Sequence, residues 1–282
     1  MVNLRSFASN DAWVATTSHM LLTLNIWVRF LKHIASVSFG KDSLAMLLLI
    51  LEKKLPLDEV VFYDTGMEFA AIYNIRDKVA QMLVEKNIKF TELYPPNSFV
   101  YDMLEREIHK KDGTIQYGFG WCGAVCRWGT GIKTRVIDRY TRGSHIYVGI
   151  AADEQVRLSR LTSNKSSPIA DIGMTEQHCL YYCYQHGFTW SEGGIELYDI
   201  LDRVSCWCCK NKNIKELRNI YLFLPEYWQK LRELQSQISF PMKREGTIFE
   251  LERRFEIEKE WITCGKSIRS KEFYRALRGE WK

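Results

Sequence analysis

The eight residues Ser36–Val37–Ser38–Phe39–Gly40–Lys41–Asp42–Ser43 constrain this chain more than any other stretch. An apolar, β-prone run, His33–Val37, leads into them, and a leucine-rich helical run, Leu44–Leu51, leaves them. Strand, tight turn and helix in that order make an anion cradle, because the first N–H groups of a helix have no partner within it. The helix dipole adds roughly half a positive charge at the same point. Gly40 admits a phosphate close to the backbone, Lys41 supplies a point charge, and Ser38 and Ser43 supply hydroxyl donors. Asp42 is placed to cap the helix or to hold a metal ion. The Walker arrangement is excluded: it needs a further glycine five residues before the Gly-Lys pair, and Ala35 stands there.

Strands and helices alternate after this cradle. Leu57–Tyr63 reads as a strand ending in Asp64-Thr65-Gly66, followed by a helix whose stripe is Ile72, Ile75, Val79, Met82 and Leu83. Lys89–Leu93 is a short strand closed by Pro95-Pro96, and Ser98 caps a predicted helix holding Phe99, Met103, Leu104 and Ile108. His145–Ile150 is another strand, Thr162–Ser167 a polar loop, and Thr175–His186 a helix. From Asn213 onward the apolar spacing is helical. The expected fold is α/β, a parallel twisted sheet with helices on both faces and a mostly helical C-terminal extension. Three regions follow: an N-terminal extension over 1–32, the α/β domain over 33–212 and the helical region over 213–282. Ligands in such sheets bind beyond the carboxyl ends of the strands, so the loops after Val37, Tyr63 and Ile150 should face one crevice.

At 282 residues the chain is long enough for a substantial core, and 39 basic against 34 acidic residues suit a nucleotide or nucleic-acid partner without requiring one. No basic segment precedes a short apolar run with a small-residue cleavage site, so the expected compartment is the cytoplasm. Ala12–Leu31 carries His19, Asn25 and Arg29 and reads as an amphipathic or buried helix; no membrane partner is expected. Eight cysteines in such a chain read as thiols or metal ligands instead of disulfides. Cys206 and Cys209 form a C-x-x-C pair whose sulfurs reach a single ion, and Cys122 and Cys126 complete a set of four. Four thiolates suit Zn2+ or a [4Fe–4S] cluster equally. Cys179 and Cys183, four apart on an apolar helix, read as core packing.

Ser38-Phe39-Gly40-Lys41-Asp42-Ser43 resembles the Ser-Gly-Gly-Lys-Asp-Ser pyrophosphate loop (PP-loop) of the adenine-nucleotide α-hydrolase superfamily, with Phe39 in place of the first glycine. Four further stretches resemble the phosphoadenosine phosphosulfate (PAPS) reductase family within it, and together they span about Ile34 to Cys209. The first is Phe62–Glu68, in which Asp64, Thr65, Gly66 and Glu68 match a nucleotide-side Asp-Thr-Gly turn with its trailing acid. The second is Tyr147–Glu154 with Arg157 and Arg160, where trailing arginines suit bidentate phosphate or sulfate binding and Asp153 or Glu154 orients them or binds a metal. The third, Gly120–Thr130 and then Lys133, is similar to an Arg-Trp-Cys-Thr run with Gly129 in place of the cysteine. The fourth, Asp202–Cys209, is similar to a Gly-Cys-Trp-x-Cys run. Thr263-Cys264-Gly265 matches the family's nucleophilic Glu-Cys-Gly tail only in part, lacking the glutamate.

The resemblance implies that ATP or a PAPS-like adenine nucleotide, with Mg2+, lies over Ser38–Ser43 with its phosphate or sulfate near Lys41, Asp42, Arg157 and Arg160. Two reactions share such a site. One is α-phosphate attack with pyrophosphate release; the other is thiol-dependent reduction of PAPS to sulfite. A sulfur donor or thioredoxin-like reductant, a nucleic-acid substrate for thiolation, and a homodimer are the partners this implies. A regulator that senses nucleotide without turnover is the non-enzymatic alternative.

Overall fold

Two strands with almost no exposed surface set the sheet. β1 (His33–Val37) buries Ile34, Ala35 and Val37, and β2 (Glu59–Tyr63) is buried along its whole length, as befits a strand covered on both faces. The structure is a computed structural model that describes residues 31–121 and 126–277. Between these strands runs α1 (Lys41–Glu52), in which every residue from Ser43 to Ile50 is buried. After β2 come α2 (Ala70–Glu85) and β3 (Lys89–Leu93). The expected helix after Ser98 is present but short: residues 99–105 are helical, ending in a π-helical turn, Tyr101–Glu105, and an antiparallel hairpin of β4 (Glu107–His109) and β5 (Ile115–Tyr117) follows. Ser98 does accept the Tyr101 N–H at 3.1 Å. Ile108 nonetheless belongs to a strand, because the Asp112-Gly113 turn lets the chain fold back on itself; Gly113 sits at φ 82°.

A second π-helical segment, Arg127–Ile132, leads into α3 (Lys133–Tyr140) and β6 (His145–Val148). Then follow α4 (Gln155–Leu158), β7 (Lys165–Ser166), α5 (Pro168–Asp171) and α6 (Glu176–Gln185). The predicted polar loop over Thr162–Ser167 thus contributes a two-residue edge strand. A small hairpin, β8 (Ser191–Glu192) with β9 (Ile195–Glu196), precedes α7 (Leu197–Ile200). The rest is helical: α8 (Ile214–Phe223), α9 (Pro225–Ser236), α10 (Ile248–Thr263) and α11 (Lys271–Leu277). Thr175, Asn213 and Thr247 open α6, α8 and α10 with capping boxes, which fixes where those helices start.

The main sheet has the order β3-β2-β1-β6-β7 and every pairing in it is parallel. The chain moves outward from β1 in one direction and returns on its other side with β6, so the loops after these two strands part and leave a crevice between them. Gly149, just past β6, lets the first turn of α1 close on that crevice: a Cβ there would stand 2.5 Å from Ser43 Cα. The expected α/β sheet and helical C-terminal region are both present. Residues 1–30, which hold nearly all of the N-terminal extension and of the Ala12–Leu31 run, lie outside the described residues, and no described helix is long and apolar enough to cross a membrane.

Candidate functional site: a phosphate-sized cleft at the sheet's switch point

The loop after β1 is shaped by one unusual residue. Phe39 takes φ 59°, the left-handed region that glycine occupies without penalty, and its side chain is fully buried against Phe62 at 4.9 Å and Phe90 at 6.1 Å. The ring in the core holds the backbone in a conformation that the aromatic residue disfavours. Its carbonyl accepts the Trp190 Nε1–H at 2.8 Å, which pins the loop to the β8–β9 region. The Ser38 N–H donates to Ser43 Oγ at 3.1 Å, the two serine hydroxyls lie 3.1 Å apart, and Ser43 Oγ donates to the Gly40 carbonyl. The loop is therefore closed on itself, with its polar atoms turned toward the crevice.

That crevice is a cleft of about 170 Å3, lined by Ser38, Gly40–Ser43, Gly149, Glu154, Arg157, Glu176, Tyr198 and Arg203–Ser205. Lys41 reaches it as a nearly buried ammonium, with Nζ 2.5 Å from Glu176 and 3.2 Å from both Asp42 oxygens. Burial pulls the Lys41 pKa down, but Asp42 and Glu176 outweigh it and hold the pKa above its ordinary value. Burial pushes the Asp42 carboxyl up, against the pull of Lys41. Arg157 spans both oxygens of Glu154 at 2.6 Å. Asp153 lies just outside and accepts the Glu176 N–H, fixing the start of α6. Arg160 is exposed and is not part of the lining.

Several lining residues escaped the sequence reading as site residues. Glu176 and Tyr198 carry no local signal, and Arg203 and Ser205 appeared only as the flank of the cysteine run. Arg203 is exposed, and its guanidinium makes no ion pair among the described residues. Its backbone is held from behind: its N–H donates to Glu216 and its carbonyl accepts the buried Lys212 Nζ at 3.1 Å.

The Asp-Thr-Gly turn does not join this lining. Asp64 accepts the Gly66 N–H and the Tyr73 hydroxyl, while Thr65 and Glu68 turn to the cysteine run. Cys206 Sγ lies 3.5 Å from Thr65 Oγ1 and donates to Glu68 at 3.6 Å, and the Trp207 N–H donates to the Met67 carbonyl. Burial raises the Glu68 carboxyl pKa and holds the Cys206 and Cys208 thiols well above their ordinary values. Cys206 and Cys209 occupy one turn, the Cys209 N–H donating to the Cys206 carbonyl, and Cys126 is half-buried against the same core. Cys122 lies outside the described residues. Among the described residues no group of three or more His, Cys, Asp or Glu side chains comes together as a metal site. Cys209 lines a neighbouring cavity that shares Arg203 and Ser205 with the cleft. Cys179 and Cys183 are fully buried in the core, and burial raises the Cys179 pKa to about 12. Cys264 is exposed at the C-terminal cap of α10 and does not line the cleft.

Residues 32–113, which include the whole loop, match the family model described as the phosphoadenosine phosphosulfate reductase domain. The match covers 82 of the 282 residues, under a third of the chain. An uncharacterized protein of Methanocaldococcus jannaschii is 26% identical to the chain over 206 residues, covering 68% of this chain. The chain spans 39% of that relative's length. Among solved structures, the U34-tRNA thiolase NcsA from Methanococcus maripaludis with its [4Fe-4S] cluster aligns at TM-score 0.40 and 13% identity, over 82% of this chain and 73% of its own. The matching segment supplies β1, α1, β2, α2 and β3, three of the five strands of the main sheet and the loop built on them.

Proposed function

We propose that the chain is an enzyme that binds ATP or a related adenine nucleotide by its phosphates in this cleft and directs attack on the α-phosphate. The reading is carried by one convergence: Ser38, Lys41, Ser43, Arg157 and Arg203 meet at the crevice between β1 and β6. In the reaction an acceptor oxygen bonds to the α-phosphorus, and the bond from that phosphorus to the bridging oxygen breaks. The electron pair leaves with pyrophosphate, and the acceptor is left adenylylated for a later sulfur or nitrogen nucleophile. Lys41 and Arg203 meet the charge that grows on the leaving group, and the loop's hydroxyls orient its oxygens. The acidic lining is made of Asp42, Glu154 and Glu176, three carboxylates against the three cations Lys41, Arg157 and Arg203. A lining so balanced fits a nucleotide that arrives with a divalent cation. These carboxylates are the oxygen donors that would hold Mg2+, which supplies charge neutralisation when bound.

Pyrophosphate release from ATP, with and without Lys41→Ala, is the test. The expectation is release by the wild type and a loss of about a hundredfold or more in the variant. ATP binding without turnover under any acceptor would make the chain a nucleotide sensor. Reduction of PAPS to sulfite and adenosine 3′,5′-bisphosphate by a thioredoxin-like dithiol, which ends as its disulfide, is the second reading, favoured by the family match and by Cys209 in the adjoining cavity. Sulfite release from PAPS would select it, and its survival in Cys264→Ser would remove Cys264 as the nucleophile. Visible absorbance and zinc content of anaerobically purified protein decide what Cys122, Cys126, Cys206 and Cys209 hold.

A further inference from the structure

We propose that Tyr198 is an anion-binding donor of the cleft, its phenol taking the Lys41 N–H and handing a hydrogen bond on to the phosphate. The proposal rests on the nucleotide reading above and deepens it. Tyr198 belongs to α7 and lines the cleft across from the loop. Its oxygen accepts the Lys41 N–H at 2.9 Å, the donor that a helix N-terminus ordinarily offers to a bound anion. An oxygen that accepts in this way keeps its own hydrogen to give. No acceptor among the described residues takes that hydrogen, and the ring faces the cleft. Accepting a hydrogen bond also polarises the O–H and makes it the stronger donor.

A second interpretation makes the hydroxyl a stand-in that leaves when ligand enters. The packing argues against it. Tyr198 meets the ring of Trp190 edge-on, at 4.9 Å and 89°, and Trp190 is fully buried and tied to Phe39 by its own N–H. On the other side, a Cβ added to Gly40 would lie 3.4 Å from the hydroxyl, so the loop and the phenol are already in close contact. Moving the ring out would undo this wall. Burial also raises the phenol pKa well above its ordinary value, so the group stays a donor at every working pH. The chain thus extends its loop by one side chain, with Tyr198, Arg203 and Ser205 forming the far wall of the anion site.

The two interpretations predict opposite signs for Tyr198→Phe, measured by calorimetry with pyrophosphate, ATP and adenosine. A donating phenol makes pyrophosphate and ATP bind about ten- to a hundredfold more weakly in the variant, with adenosine unchanged. A stand-in makes both phosphates bind more tightly, because the Lys41 N–H is set free. Tightening, or no change, overturns the proposal. Fluorotyrosine at position 198, the same shape with a more acidic phenol, keeps the test intact if phenylalanine disturbs the wall. It should tighten pyrophosphate binding severalfold, and weakening overturns the proposal. Wild-type protein that binds pyrophosphate but neither ATP nor PAPS would sink the nucleotide reading and leave Tyr198 to be decided by the same comparison. Wild-type protein that binds none of the three overturns both.

Discussion

Phe39 offers the sharpest check on how this loop is held, because two opposed effects act on one residue. The left-handed backbone at φ 59° costs an L-residue about 1–2 kcal/mol. The fully buried ring, tilted against Phe62 and edge-on to Phe90, is worth about 3–5 kcal/mol when truncated in a core. Phe39→Ala loses the ring and keeps the strain, so it should cost about 3–5 kcal/mol. Phe39→Gly loses the ring but relieves the strain, less about 0.5–1 kcal/mol for the freer unfolded chain. Its net cost is about 2–4 kcal/mol. The expected order of urea midpoints is wild type above Gly above Ala, an unusual ranking for a buried position. Pyrophosphate binding should survive in the Gly variant, since the backbone that faces the cleft is the one glycine prefers. An alanine variant as stable as the glycine one would show that the backbone is not left-handed in solution. A glycine variant as stable as the wild type would show that the ring does not anchor the loop.

Three other substitutions probe the cleft and the sheet beneath it. Gly149→Ala puts a Cβ 2.5 Å from Ser43 Cα, a backbone atom that cannot yield, so about 1–3 kcal/mol of stability and most pyrophosphate binding should go together in melting and titration. Glu176→Gln removes the carboxylate 2.5 Å from Lys41 Nζ and should tighten pyrophosphate severalfold in calorimetry; unchanged affinity would mean the pair does not compete with the ligand. Glu59, fully buried, is held at about 2 because hydrogen bonds from Lys32, Thr91, Tyr140 and Lys89 outweigh the opposing effect of burial. Its folded pKa lies below its unfolded one, so its contribution is whole above pH ~4.5 and fades as pH falls toward 2, by about 3–4 kcal/mol in all. Glu59→Gln should flatten that acid limb in pH-dependent denaturation.

Much of the sheet was legible because its strands are short apolar runs flanked by turn residues. His33–Val37 and Lys89–Leu93 are strands to the residue, and the strands ending at Tyr63 and Val148 differ from expectation only at their ends. The helix starts at Thr175 and Asn213 were equally readable, and in the fold each is closed by a capping box. The hairpin over 107–117 was not. Ile108 fits a helical stripe with Met103 and Leu104, and only the turn at Asp112-Gly113, which pairs Ile108 with Gln116, decides for a strand. The β8–β9 hairpin has two-residue strands, too short for any alternation to show.

The site divides along the same physical line. Its near wall is one continuous segment, Ser38–Ser43, whose chemistry follows from local order: a strand, a turn, a helix start. Its far wall is assembled by contacts across 135 residues to Glu176 and 157 residues to Tyr198, and nothing near those residues announces them. Their arrival changes what the loop can do. Read alone, Ser38–Ser43 is a cationic cradle that any oxyanion would satisfy. With Glu176 on Lys41 and Glu154 on Arg157, two of its three cations are already answered. Only Arg203 stands without a carboxylate among the described residues, and the Tyr198 hydroxyl still has a hydrogen to give. An anion entering this cleft must therefore displace carboxylates or bring a cation to share them. A bare monovalent anion gains too little to do either, whereas a polyphosphate carrying a divalent ion does both at once. The balanced wall thus selects for the kind of ligand that the loop alone leaves open.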